Sequence, residues 1–255
     1  DEYRIFKSGK LPSPITFRGH TLGILICEDM WYPNVARHLK TEGAEVLIVP
    51  NASPFEITKD ETRLDYARKR ASETALPIVY VNQIGGQDEL VFDGASFILG
   101  RGGEMLFQAP EFETGIYDVE LNLRDNSVSG ADNAENLSDE AELYGALKLG
   151  LKDYIEKNGF PGLVLGLSGG IDSALAATIA ADALGADRVH CVMMPSPYTS
   201  QDSLDDAAAV AKNLGCAYDI IPIGDAMKAF EDTIENLDGI AHENMQSRVR
   251  GLILM

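Results

Sequence analysis

From residue 162 onward, a short apolar run gives way three times to a longer helical one. GLVLGL leads to SALAATIAADALG, RVHCVMMP leads to SQDSLDDAAAVAKNLG, and AYDIIPI leads to GDAMKAFEDTIENL. Strands that alternate with helices imply a parallel sheet covered on both faces. In such a sheet, ligands bind beyond the carboxyl ends of the strands. The first strand-to-helix junction, LVLGLSGGIDSALAA over 163–177, therefore sits where a ligand is expected, and it carries two adjacent glycines.

The first half of the chain is organised differently. TLGILIC and AEVLIVPNA read as buried strands, YPNVARHLKTEGA as a helix with Pro33 near its start, and RLDYARKRASETA as a charged helix. PIVYVNQIG reads as one strand, LVFDGASFILGRGGEMLFQA as a hairpin pair turning at Gly100, Gly102 and Gly103, and GIYDVELNL as a last strand. RDNSVSGADNAENLSDEAE then offers little to fill a core. The expected division is an α/β domain over 1–124, a linker over 125–137 and a second α/β domain over 138–255. Ser138 is expected to cap the helix that opens the second domain, with Asp139 and Glu140 in its first turn. Leu143, Leu147, Leu151, Tyr154 and Ile155 are expected to form that helix's apolar face.

Charge excludes some functions. Forty acidic against 21 basic residues give a formal charge of −19, which repels nucleic acid and anionic membranes. The three cysteines, Cys27, Cys191 and Cys216, have neither metal-ligand nor disulfide-framework spacing, which fits a reducing cytoplasmic setting. No apolar run approaches the roughly 18 residues of a membrane span. The chain starts in the charged DEYRIFKSGK and stops inside the apolar VRGLILM, so both ends read as interior to a longer protein.

The junction SGGIDS has the parts of a phosphate cradle. Glycines let the backbone approach an anion, a helix N-terminus offers free N–H donors, and the Ser168 and Ser173 hydroxyls add more. Asp172 would repel a bare phosphate, which points to a Mg²⁺ between carboxylate and phosphates. The common nucleotide loop ends in Gly-Lys-Ser/Thr, and no lysine lies here. The string resembles the signature of the ATP pyrophosphatases, the PP-loop family. These enzymes adenylate an oxygen of their substrate, release pyrophosphate, and let a nucleophile displace AMP. The resemblance implies that Gly166, Leu167, Ser168, Gly169, Gly170, Ile171, Asp172 and Ser173 surround ATP, with Asp172 at the metal. MPSPYTSQDSLDDA and HENMQSRVRGLILM are similar to segments of NAD synthetases. By that similarity Asn244, Gln246, Arg248 and Arg250 bind deamido-NAD or lie near ATP.

Cys27 closes the apolar run LGILI, whereas Cys191 and Cys216 read as small buried hydrophobes. GILICEDMWYP with NASPFEITKDETR resembles the nitrilase-like glutaminase of glutamine-dependent NAD synthetases. The resemblance implies that Cys27 is the nucleophile toward the glutamine side-chain amide and that Ser53 and Lys59 contact glutamine. The family's catalytic glutamate and lysine lie upstream of this segment, and Glu28 is not assigned that role. The implied fold is a partial nitrilase-like αββα sandwich followed by a Rossmann-like parallel α/β sheet of the ATP pyrophosphatase type. The implied reaction is ATP-dependent amidation of deamido-NAD with ammonia from glutamine, with ATP and Mg²⁺ as requirements. A homo-oligomer is expected, and neither nucleic acid nor membrane is an expected partner. The alternatives are a related amidotransferase with another acceptor acid, or an inactive nucleotide-binding fragment.

Overall fold

The computed structural model describes residue 5 and residues 7–57, 59–234 and 239–255, with only the backbone of 59 and 60. It divides into two compact units, Asp1–Ala146 and Leu147–Met255.

The first unit is built on a six-stranded sheet. Its strands are β1 (Ile15–Phe17), β2 (His20–Ile24), β3 (Val46–Asn51), β4 (Ile78–Asn82), β7 (Phe97–Leu99) and β8 (Met105–Gln108), adjacent in that order. β2, β3 and β4 are mutually parallel, and the outer neighbours are antiparallel. Parallel neighbours need crossovers, supplied by α1 (Pro33–Thr41) and α2 (Lys59–Thr74). Both helices turn small or branched positions to the core: Ala36 and Leu39 from α1, Ala67 and Ala71 from α2. These meet Leu47, Val49, Ile78, Tyr80 and Leu99, the alternate residues of one sheet face. Ile98 and Phe107 face the other way. Val119, Leu121 and Val128 pack against them.

Three expectations change here. PIVYVNQIG is two strands, because β4 stops at Asn82 and β5 (Ile84–Gln87) leaves the main sheet. Gly85, at φ +132°, takes a conformation that other residues avoid. β5 pairs with β6 (Leu90–Asp93) across a turn with Asp88 at φ +51°, so LVFD does not pair with FIL. Within the stretch read as linker, β10 (Ser127–Ser129) pairs antiparallel with β9 (Glu120–Asn122), and its Val128 supplies the apolar contact that the polar composition concealed.

α3 (Asp139–Lys157) crosses the division between the units. The Ala141 N–H donates to Ser138 Oγ at 3.3 Å, which is the expected cap. The expected apolar face is mostly uncovered: Leu143, Leu147 and Tyr154 are 43, 48 and 53% exposed, while Ala146 and Ile155 are buried.

In the second unit, β11 (Leu163–Gly166), β12 (Val189–Met193) and β13 (Ala217–Ile220) form a parallel sheet in chain order. α4 (Ile171–Leu184) and α5 (Gln201–Leu214) contribute Ala177, Ala180, Ala207 and Ala211 against Leu167, Val189, Cys191 and Met193 on one face. α6 (Gly224–Glu231) and α7 (Gly239–Leu254) bring Met227, Met245 and Val249 against Val192 and Met194 on the other. Alanine-rich helices allow close approach to the sheet, which accounts for the low hydrophobic bulk of α4. No described helix is long and apolar enough to cross a membrane.

Candidate thiol and nucleotide sites

The candidate nucleophile lies beyond the strand that leads to it. β2 ends at Ile24, and Cys27 opens a 3-10 turn over Cys27–Met30 with φ +48°. A non-glycine residue in the left-handed region is uncommon and costs energy, so the surroundings must hold it. They do so on both sides. The Asp29 carboxylate accepts from the Ile26 N–H at 3.1 Å, and Met30 is buried in the core. Past the turn, the Arg70 guanidinium donates to the Trp31 carbonyl at 3.1 Å, and Trp31 stacks on Tyr66 with centroids 5.7 Å apart. The thiol is half-buried, neither lost in the core nor free in solvent.

Tyr80, on β4, is buried in the core of the first unit. Burial pushes the Tyr80 phenol up to about 12; the Arg63 charge and a hydrogen bond with Ser53 oppose this, and Cys27 and Asp93 add to it. Ser53 is itself buried and tightly held. Its N–H donates to Asn82 Oδ1 at 2.9 Å, and its carbonyl accepts from Asn82 Nδ2 at 3.1 Å. Arg63 donates from Nε to Ser53 Oγ at 3.1 Å and from Nη2 to the Ser53 and Pro54 carbonyls at 3.0 and 2.9 Å. The guanidinium also forms a two-pronged pair with Asp93, whose side chain is 0% exposed. Removing one partner of a buried ion pair costs about 3–5 kcal/mol. Lys59 starts α2, but its side chain lies outside the described residues.

None of Arg63, Asp93, Asn82 or Tyr80 was singled out from the sequence. Arg63 sits in a helix rich in charge and Asp93 in an apolar strand, and only the fold brings them together. An aspartate in the otherwise apolar run LVFD, read as part of a hairpin, was the available signal.

The SGGIDS turn joins β11 to α4. Gly166 ends the strand, Leu167 is 1% exposed and anchors the turn in the core, and Gly170 precedes the first helical residue, Ile171. The side chains of Ile171 and Asp172 are exposed. Two serines brace the loop: the Ser168 N–H donates to Ser173 Oγ at 3.1 Å, their hydroxyls lie 3.0 Å apart, and Ser173 Oγ donates to the Gly170 carbonyl at 2.9 Å. Gly169 has φ +82°, and a Cβ there would overlap the Ser203 carbonyl oxygen of α5. Gly169→Ala is therefore expected to destabilise the protein by about 1–3 kcal/mol, read as a lower urea midpoint at unchanged slope.

Beside the turn is a cavity of about 380 Å³, lined on one side by Gly166, Leu167 and Ser168. Met194, Tyr198, Ser200 and Arg250 are among the residues on its other sides. Of the four residues expected near the dinucleotide, only Arg250 lines it, and its Nε is held by the Met194 carbonyl at 3.1 Å. Gln246 lies 3.5 Å from His242, and Asn244 and Arg248 are exposed on α7. The helical period explains the split, because Met245 and Val249 occupy the buried face. The cavity walls from 194 to 203 were seen in the sequence only as a segment, with no residue given a role. Among the described residues no group of three His, Cys, Asp or Glu side chains could hold a metal. A single exposed carboxylate at a phosphate-sized turn still fits Mg²⁺, which takes one or two carboxylates and completes its shell with phosphates and water.

Comparison with known proteins agrees with this two-part layout. The carbon-nitrogen hydrolase family matches residues 1–127, and the NAD synthase family matches residues 143–255. A glutamine-dependent NAD(+) synthetase of Rhodobacter capsulatus is 47% identical over 262 aligned positions, covering 100% of this chain and 48% of the relative. That of Aquifex aeolicus is 39% identical, covering 100% of this chain and 51% of the relative. The structure of glutamine-dependent NAD+ synthetase from Acinetobacter baumannii in complex with ADP superposes with a TM-score of 0.93 at 42% identity, over 100% of this chain and 49% of that one. A carbon-nitrogen hydrolase unit followed by an NAD synthase unit defines a two-unit class of protein. Within it, this chain belongs to the glutamine-dependent NAD(+) synthetase family. The chain spans about half the length of the curated relatives it matches.

Proposed function

We propose that the full-length protein carrying this chain makes NAD by amidating deamido-NAD, using ATP and ammonia released from glutamine. The observation that carries this reading is the pairing, in one chain, of a strained thiol turn at Cys27 with a braced glycine turn at Ser168–Ser173. In the first step the Cys27 thiolate attacks the glutamine side-chain carbonyl carbon. The proton removed from the thiol passes to the amide nitrogen as the C–N bond breaks, ammonia leaves, and water then releases glutamate from the thioester and restores the thiol. Ser53 contacts the glutamine, and Lys59 joins it by family resemblance. In the second step the nicotinate carboxylate attacks the α-phosphorus of ATP and pyrophosphate departs. Ammonia then attacks the acyl carbon and AMP leaves with the bonding pair.

The protein's own part in that step is positional. The N–H groups at the start of α4 hold phosphate oxygens where charge develops, and the mutually bonded Ser168 and Ser173 keep the turn in shape. Arg250, fixed by the Met194 carbonyl, presents a cation at the cavity wall. Asp172 would hold Mg²⁺, which when bound neutralises phosphate charge. Asn244, Gln246 and Arg248 are assigned to deamido-NAD, reached from the rim of α7. The ADP in the A. baumannii structure supports the nucleotide assignment. The reading includes a cytoplasmic homo-oligomer and the domain limits 1–124 and 138–255. The deciding experiment supplies ATP and glutamine with a panel of carboxylic acids to the full-length protein. Amide formation on deamido-NAD is expected. Amidation of another acid with none on deamido-NAD defeats the proposal.

A further inference from the structure

The polar group around Ser53 has a feature that stability does not explain. Arg63 and Asp93 are 4 and 0% exposed, and a buried ion pair of this kind stabilises a fold no better than well-packed apolar side chains of similar volume. Its geometry points to another use. Three of the guanidinium's acceptors are the Ser53 hydroxyl, the Ser53 carbonyl and the Pro54 carbonyl. Asn82 takes the Ser53 N–H and donates to the same carbonyl. Every polar group of Ser53 is therefore held, directly from α2 and β4 and, through the Asp93–Arg63 pair, indirectly from β6. Ser53 lies in the irregular segment between β3 and α2, outside the strand ladders, and the next backbone anchor is the Phe55 N–H, which donates to the Val91 carbonyl at 2.7 Å. The grip lies at the sheet edge from which the thiol turn also leaves: β2 and β3 are parallel neighbours and the Leu25 N–H donates to the Ile48 carbonyl at 3.0 Å, so the segments that follow the two strands emerge on the same side.

We propose that Arg63, locked by Asp93, is a positioning residue for the glutamine site. It sets the 53–54 segment and the Ser53 hydroxyl, at the same sheet edge as the Cys27 turn, in the conformation that accepts the amide donor. With one lone pair of Ser53 Oγ taken by Arg63 Nε, the hydroxyl proton is left for Tyr80 or a ligand. Asp93 touches no substrate: its carboxylate fixes the orientation of the guanidinium, and the guanidinium fixes the segment. The inference rests on the glutaminase reading, and its test separates the two.

The full-length protein is assayed for NAD formation with glutamine and, separately, with ammonium chloride. Wild type is compared with Asp93→Asn and with the charge-free double variant Arg63→Leu/Asp93→Leu, which leaves no unpaired buried charge. Loss of the grip is expected to raise KM for glutamine by about tenfold or more. The ammonium-driven rate should stay within about twofold of wild type, because added ammonia does not pass through the glutamine site. A purely structural pair would not split the two activities. A wild-type KM for glutamine in the double variant overturns the proposal, and so does a parallel fall of both activities. If wild type ignores glutamine, or if Cys27→Ala still uses it, the glutaminase reading itself fails and takes this inference with it.

Discussion

Replacing Cys27 with alanine in the full-length protein is expected to lower glutamine-driven NAD formation by more than about 10⁴-fold, the scale on which loss of a catalytic nucleophile acts. Synthesis from added ammonium salts should continue at the wild-type rate. Alanine is the informative substitution because of the backbone. Both residues carry a Cβ, so both bear a similar strain at φ +48°, and the turn between β2 and α1 keeps its shape. Glycine would relieve that strain and confuse lost chemistry with an altered turn. The measurement is NAD produced from each nitrogen source at saturating ATP and deamido-NAD. Retained glutamine use would show that Cys27 is not the nucleophile.

The second large effect is expected at Asp172. Asp172→Asn should reduce synthesis from glutamine and from ammonium salts alike, by on the order of 10²–10³-fold, because it removes a charge needed where pyrophosphate leaves. The variant tests chemistry rather than folding. Asp172 is exposed in the first turn of α4, where a carboxylate contributes at most about 1 kcal/mol through the helix dipole. Calorimetric titration with ATP gives an independent reading. Magnesium should strengthen ATP binding in wild type and have little effect in the variant. Equal magnesium dependence in both proteins would remove Asp172 from the metal site.

The two turns that carry these residues were legible in the sequence for different reasons. SGGIDS is a local feature: strand, turn and helix are contiguous, so its order in the chain is its order in space. The alternation of apolar runs gave the parallel sheet of the second unit in the same way, and the structure has β11, β12 and β13 adjacent in that order. Cys27 was legible as a polar step at the end of an apolar run, but its left-handed backbone was not, since no glycine marks it. The Arg63–Asp93 pair was not legible as a pair, because it joins α2 to β6 across two intervening strands, β4 and β5. Antiparallel pairing misled where it depended on a turn: the Asp88 turn sends LVFD back to Ile84–Gln87 rather than forward to Phe97–Leu99. The stripe on α3 was correctly periodic, yet period says only which residues share a side, not that anything covers them.

The remaining cysteines give the thiol turn a practical handle. Burial pushes Cys191 up to about 11, with neighbouring Cys216 adding to it, and burial raises Cys216 as well. Thiolates, not thiols, react with maleimides, so these two are slow targets in mildly alkaline buffer. Cys27 then becomes a natural attachment point for a dye or mass tag in the unaltered sequence. The speed of tagging would report in real time whether a small molecule occupies the turn.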